Sequence, residues 1–416
     1  MGPVRENTLV TALLVVDKTT PPAEVRELSG LARAAELTIV ETVEASLRSP
    51  HAGLLYSPDS AQRIADTAEE ENAEVLLFDR VLTPSQQRNW ERLTKRSVID
   101  RQEVILRIFS RQAVTREAQL QVELAELNYY LPRLHKAWTH LSRQRGGAGA
   151  TRGEGEKQLE ADRRTLLKRI HRIKKELEDV QGERALRRKQ RNGTLLGSLV
   201  GYTNAGKSSL LNALSGSEVL VANRLFATLD PTTRRVELGG GATVALTDTV
   251  GFVRRLPEGI VDAFHATLQE TVVGDFLIVV IDGSDPEAES HYRTTREVLS
   301  GIGAWDKPRM IVVNKSDAPS FRPVLLEEEE RIVSVSVKTG EGLDALRESI
   351  RDIASRSYQR IECLLPPGRS DLAALARRTG LVHREEYDAE GIHLTAEVPA
   401  PTLRRLAPFD RYISLI

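Results

Sequence analysis

A multidomain α/β fold is predicted from three observations. Short apolar runs of strand length alternate with helical stretches. A glycine-bearing loop of phosphate-binding form lies between one such run and a helix. A long charged segment with leucines three and four apart interrupts the alternation. The reading is a small N-terminal α/β domain over residues 1–110, an antiparallel helical hairpin over 111–192, a phosphate-loop domain with a mainly parallel sheet over 193–359, and a small C-terminal α/β domain over 360–416. A chain of 416 residues suits about two to four domains, and 40% hydrophobic content can fill their cores.

In the first domain Leu9 to Val16 and Val75 to Phe78 read as strands, and Pro22 to Leu37 and Ala61 to Glu71 as helices. It carries no glycine-rich phosphate loop. From residue 103 the pattern becomes helical: Leu106, Phe109, Ala113, Leu120, Leu124, Leu127, Leu131, Leu134, Trp138 and Leu141 form one seam, and Leu166, Ile170, Ile173, Leu177 and Val180 another. Two long helices in an antiparallel coiled-coil hairpin are expected, with Pro132 kinking the first. Gly146 to Gly155 is too rich in glycine to be helical and reads as the tip loop. Residues 133–192 hold 18 Lys/Arg against 8 Asp/Glu, a net of +10 in a chain of net −1. Such a basic arm is the footprint of a partner rich in phosphates.

The third domain carries the chemistry. Gly201-Tyr202-Thr203-Asn204-Ala205-Gly206-Lys207-Ser208 fits G-x-x-x-x-G-K-[ST], after the apolar run Leu195 to Val200 and before a helical Ser209 to Leu214. Backbone N–H groups of such a loop cradle phosphates, Lys207 neutralises them and the Ser208 hydroxyl is a Mg²⁺ ligand. Asp248-Thr249-Val250-Gly251 ends a second strand; Asp248 can hold Mg²⁺ through water and the Gly251 N–H can meet the γ-phosphate. Asn314-Lys315-Ser316-Asp317 ends a third. The Asp317 carboxylate pairs with the N1–H and 2-amino group of guanine, a donor pair that adenine lacks. Ser336-Val337-Lys338 occupies the place of the remaining guanine loop. GTP and GDP are therefore the expected ligands, with Mg²⁺. Phe252 stands where many such enzymes have a water-orienting Gln, so slow hydrolysis that awaits a partner is expected.

The last domain reads as a strand at Cys363 to Leu365, a helix over Ser370 to Arg378, and strands near Val382 and over Ile392 to Val398; it is a docking module or a packing cap. Cys363, the single cysteine, reads as an apolar strand residue. No apolar run approaches membrane-spanning length and no secretory signal is read, so a cytoplasmic protein is expected; a monomer is the expected state, although nothing in the sequence fixes it.

The chain resembles the HflX family of ribosome-associated GTPases over nearly its whole length. The phrases that carry the likeness are Leu225-Phe226-Ala227-Thr228-Leu229-Asp230-Pro231-Thr232, Asp248 to Phe252, Ala266 to Thr271, Leu120 to Ala125 and Leu159 to Arg164. The resemblance implies that Phe226 to Asp230 also belong to the nucleotide site, with Thr228 as the second Mg²⁺ hydroxyl; Thr232 and Thr233 are rivals for that role. It implies a GTP hydrolase stimulated by the large ribosomal subunit, bound to its RNA through residues 133–192, and active in ribosome splitting or rescue under stress. Related GTPases with Asn at position 204 use it to coordinate K⁺, so Asn204 is a candidate ligand for that ion. Two phrases depart from the family. Tyr56 to Ser60 replaces a usual G-x-G-K, and the tip motif has Glu154 in place of Pro and Lys157 in place of Thr or Ser. A GTP-controlled RNA-binding adaptor with negligible hydrolysis is the alternative reading. An ATP-driven RNA remodeller acting through the first domain would lack a phosphate loop there.

Overall fold

The computed structural model describes residues 10–47, 50–134, 152–189, 195–217, 225–226, 228–239, 242–255, 274–324, 326, 331–356 and 358–410. They fall into two compact units, one up to Val180 and one from Gln181 onward.

The first unit opens with four parallel strands, β1 (Val10–Asp17), β2 (Leu37–Ala45), β3 (Val75–Phe78) and β4 (Ser97–Asp100), in the order β2-β1-β3-β4. Helices α1 (Pro22–Ala34), α2 (Pro58–Glu70) and α3 (Pro84–Thr94) join them, each opening on a proline whose missing N–H would have no helical partner anyway. Ser57 and Thr83 accept the N–H groups of Ser60 and Gln86, and Gln86 completes a capping box. Leu13, Val15, Ile64, Leu76, Phe78 and Trp90 fill the core between sheet and helices.

The single long helix expected from residue 103 is instead two. α4 (Arg101–Gln112) packs on α1 and β4; the backbone extends at Ala113, and Thr115 caps α5 (Arg116–Tyr130) by accepting the Ala118 N–H. Pro132 sits in a 3₁₀ turn, Leu131–Arg133, that ends α5. α6 (Arg152–Lys189) runs antiparallel to α5: Arg116 bonds Glu176 at 2.7 Å, while Glu123, seven residues on, meets Arg169, seven residues back, at 2.6 and 2.7 Å. Leu120, Leu124, Ile170, Ile173 and Leu177 form the seam between them. The glycine stretch needs a second correction, because α6 begins at Arg152 and takes in Gly153 and Gly155. A 38-residue helix absorbs two glycines at its first turn, at about 1 kcal/mol each. Trp138, Leu141 and Gly146 to Thr151 lie outside the described residues.

The second unit holds a six-stranded sheet in the order β10-β9-β8-β5-β7-β6, parallel except for β6. Its elements are β5 (Leu196–Gly201), α7 (Lys207–Ser215), β6 (Thr232–Gly239), β7 (Ala242–Asp248), β8 (Phe276–Asp282), α8 (Ala288–Gly301), β9 (Arg309–Asn314), β10 (Ile332–Ser334) and α9 (Leu343–Arg356). Leu199, Leu210, Val236, Leu246, Ile278, Val312, Leu346 and Ile350 are among its buried core. Gly197 is required in β5: a Cβ there would lie 2.4 Å from the Phe276 ring.

β11 (Tyr358–Leu365), α10 (Ser370–Thr379), β12 (Leu381–Tyr387), β13 (Ile392–Pro399) and α11 (Ala400–Leu406) form an antiparallel three-stranded sheet, order β11-β13-β12, with its helices over Ile361, Leu365, Leu394, Ala396 and Val398. α10 touches β7 of the larger sheet. Cys363 is buried, as expected of an apolar strand residue, and burial followed by the charge of Asp410 pushes its thiol up to about 11.

Candidate nucleotide-binding site

β5, β7, β8 and β9 are parallel, so their carboxyl ends open at one edge of the sheet, the usual binding edge of such folds. The phosphate loop leaves β5 there. Asn204 (φ 62°) and Gly206 (φ 93°) both take the left-handed backbone, which asparagine tolerates and glycine adopts without cost. A Cβ on Gly206 would lie 2.2 Å from Asn314 Nδ2. Asn314 is buried, donates to the Ala205 carbonyl at 3.0 Å, and accepts the Val337 N–H at 3.4 Å. One side chain thus ties three sequence motifs together.

Lys207 opens α7 and is buried. Its ammonium donates to the carbonyls of Gly201 (3.2 Å) and Tyr202 (2.9 Å). An ammonium has three donors, so one is left for a phosphate oxygen. Burial pulls Lys207 down to about 8, against the opposing charge of Asp248. Below it Ser208 Oγ donates to Asp248 Oδ2 at 2.5 Å, Thr228 Oγ1 reaches the same oxygen at 2.9 Å, and the two hydroxyls lie 2.7 Å apart. Asp248 Oδ1 is buried with no hydrogen-bond partner. Burial raises Asp248 above the usual carboxylate range despite Lys207 and the two hydroxyls. Of the three candidate switch threonines, only Thr228 joins this cluster; Thr233 bonds Thr247 across the β6–β7 pair.

At the far end, Asp317 Oδ1 accepts the Ser336 hydroxyl at 2.7 Å and Oδ2 lies 3.8 Å from Lys338 Nζ. The Ser336 hydrogen bond, then the Lys338 and Lys315 charges, hold Asp317 below its usual range. Lys315 (φ 66°) pairs with Asp282 at 2.5 Å. Asp282, a carboxylate that closes β8, was missed by the sequence reading; its position at a strand end was the available signal.

One cleft of about 450 Å³ joins these groups. Thr203, Asn204, Gly206, Lys207, Ser208, Phe226, Thr228, Thr249, Gly251, Asn314, Lys315, Asp317, Val337 and Lys338 line it, with Ser209 and Ala318, which sequence reasoning did not single out. Gly201, Tyr202, Ala205, Leu229, Asp230, Asp248, Val250, Ser316 and Ser336 do not line it. Asp248 lies buried beneath Ser208, and Ser336 acts through Asp317. Ala227 falls outside the described residues. Phe226 is buried at φ 59°, a conformation disfavoured for a bulky residue. Phe252 is buried and absent from the cleft wall.

A phosphate loop, a hydroxyl–carboxylate cluster and a guanine-type carboxylate in one cleft define a P-loop guanine-nucleotide enzyme. Comparison with known proteins agrees. Family models described as GTP-binding GTPase N-terminal, GTP-binding GTPase Middle Region and 50S ribosome-binding GTPase match residues 22–110, 112–191 and 197–315. The chain is 48% identical over 378 residues to GTPase HflX of Akkermansia muciniphila, covering 87% of this chain and 86% of that protein. It is 38% identical over 390 residues to GTPase HflX of Escherichia coli, covering 92% and 91%. A GDP-bound GTP-binding protein from Sulfolobus solfataricus is 26% identical, with a TM-score of 0.45 over 83% of this chain and 99% of that one. The chain belongs to the HflX GTPase family and is a GTP hydrolase. Among the described residues, no helix is long and apolar enough to cross a membrane.

Proposed function

We propose that this GTPase binds the large ribosomal subunit and couples GTP binding and hydrolysis to splitting or rescue of ribosomes in the cytoplasm, acting as a monomer. The observation that carries the nucleotide half is the convergence of Ser208, Thr228 and Asp248 at one end of the cleft and Asp317 at the other. All three donors at the first end are hard oxygens and one Asp248 oxygen has no partner, which fits Mg²⁺, held by the two hydroxyls directly and by Asp248 through water. The ion would neutralise phosphate charge. Lys207, its ammonium held on two carbonyls, would stand beside the phosphates. The Gly251 N–H would meet the γ-phosphate, and Phe226 to Asp230 would close over the nucleotide. Asn204, exposed on the cleft wall, would offer its side-chain oxygen to K⁺. Equal turnover in potassium and sodium buffers would remove that ion from the account.

The ribosome half rests on charge and on the family model's printed description, 50S ribosome-binding GTPase. Along α6, Arg163, Lys168, Lys174 and Lys175 are exposed while Ile170, Ile173 and Leu177 are buried against α5. The hairpin therefore presents its cations outward, as a contact with ribosomal RNA phosphates requires. The test is cosedimentation with separated ribosomal subunits in GDP and in a non-hydrolysable GTP analogue, with turnover measured alongside. GTP-dependent association with large subunits and faster turnover support the reading. Association without stimulation favours the adaptor reading, which the burial of Phe252 keeps in play because no amide stands there to orient water. Absence of association defeats both.

A further inference from the structure

Tyr202, the second residue of the phosphate loop, turns its side chain away from the cleft. Its ring is buried and stacks on the His291 ring of α8, with centroids 3.8 Å apart and planes within 11° of parallel. Its phenol oxygen accepts the backbone N–H of Arg254 at 2.7 Å. The Arg254 guanidinium, 11% exposed, donates to Glu287 Oε2 at 2.8 Å and to Ser290 Oγ at 2.9 Å. Two residues earlier, the Phe252 N–H donates to the Gly201 carbonyl at 3.1 Å, and the Phe252 carbonyl accepts the Thr203 N–H at 2.8 Å. Gly251 is pressed so close to the loop that a Cβ there would lie 2.8 Å from Thr203 Cα and 3.0 Å from Lys207 Nζ. The stretch 251–254 is thus tied to the phosphate loop by its backbone and to α8 by one arginine.

We propose that Arg254, seated on Tyr202 and held by Glu287 and Ser290, is a positioning residue for GTP hydrolysis. It sets how closely the Gly251 N–H approaches the third phosphate, and so makes the cleft tell GTP from GDP. The proposal rests on reading Gly251 as the γ-phosphate contact. Hydrogen bonds weaken steeply as length and angle depart from their optimum, and small misplacements of a catalytic group lower rates by large factors. GDP lacks the phosphate that Gly251 would meet, so loosening residue 254 leaves its affinity alone.

The test compares Arg254→Gln, Glu287→Gln and the charge-swapped pair Arg254→Glu with Glu287→Arg. Glu287 is 38% exposed, so its variant is expected to fold. Calorimetry with GDP and with a non-hydrolysable GTP analogue gives the affinity ratio, and steady-state kinetics separates kcat from KM. Each single variant is expected to bind GDP within about twofold of the parent, to bind the analogue about tenfold more weakly, and to lose about tenfold in kcat, with partial recovery in the swapped pair. GDP and analogue weakening by one common factor, or neither changing, would overturn the proposal. Gly251→Ala in the same assays separates the two layers. If it shifts the ratio while the Arg254 and Glu287 variants do not, the positioning role alone fails; if it too leaves the ratio unchanged, the reading of Gly251 fails.

Discussion

Gly206 and Gly216 both hold the left-handed backbone, at φ 93° and 66°, at opposite ends of α7. Replacing either by alanine adds the same methyl group and the same stiffening of the unfolded chain. Their surroundings differ. Nothing lies within 4 Å of a Cβ on Gly216, whereas a Cβ on Gly206 would sit 2.2 Å from Asn314 Nδ2. Gly216→Ala therefore costs only the left-handed penalty, about 1–2 kcal/mol. Gly206→Ala adds displacement of the Asn314 amide, which breaks its 3.0 Å bond to the Ala205 carbonyl and strands a buried donor for about 1–3 kcal/mol more. The total is about 2–5 kcal/mol. At about 2–4 °C per kcal/mol for a unit of this size, Gly206→Ala should melt roughly 4–20 °C below the parent and Gly216→Ala roughly 2–8 °C below. Differential scanning fluorimetry reads the difference, and calorimetry with GDP should show a loss above about tenfold for Gly206→Ala alone. Asn314→Ala should relieve part of the Gly206→Ala penalty, since it removes the clashing amide. Equal melting shifts for the two glycine variants would refute the argument.

Asp317→Asn should exchange base preference. The amide offers one acceptor and one donor, which match the N1–H and 2-oxo group of xanthine, so xanthosine diphosphate should outbind GDP where the parent prefers GDP by about 10⁴-fold or more. Competition calorimetry with the two diphosphates checks it. Thr228→Ala should cut GTP turnover by about 10²-fold, whereas Thr233→Ala, whose hydroxyl is engaged with Thr247, should change it by less than about threefold; single-turnover assays decide between the threonines. The Cys363 thiol has its pKa raised in the folded state from 9.0 to about 11, mainly by burial, so it favours folding below pH 9 and that contribution is lost as pH rises from 9 to 11. Urea unfolding of the parent and of Cys363→Ala should show a gap in the pH dependence of about 2–3 kcal/mol across that window.

Legibility in the sequence followed burial. β3, β5, β8 and β9 are covered on both faces and read as continuous apolar runs. β2 is an edge strand with residues exposed along its length, so its alternation hid among charged neighbours, and β4 has only four residues. The break between α4 and α5 escaped because Ala113 and Thr115 are not strong helix breakers; the stop comes from α4 packing on α1 and β4 while Thr115 starts a new helix. In the site, residues tied to local motifs were legible. Asp282 and the Tyr202–Arg254–Glu287 contacts were not, because they join positions 33 or more residues apart in sequence.

Two carboxylates at strand ends illustrate why residue type alone does not assign a role. Asp317 stands at the mouth of the cleft, its oxygens bonded to a hydroxyl and near an ammonium, and is held ionised below its usual range. A carboxylate has about four lone-pair positions; the Ser336 hydroxyl takes one, which leaves room for a base that presents paired neutral donors. Asp248 is buried, with two hydroxyls crowded on one oxygen, none on the other, and a pKa raised by burial. Two neutral donors crowd its Oδ2 while its Oδ1 has no hydrogen-bond partner, which leaves that second oxygen for a cation or the water bound to one. On the proposed function, the same functional group would read a base at one end of the cleft and serve a cation at the other, with the phosphate loop spanning the distance between them.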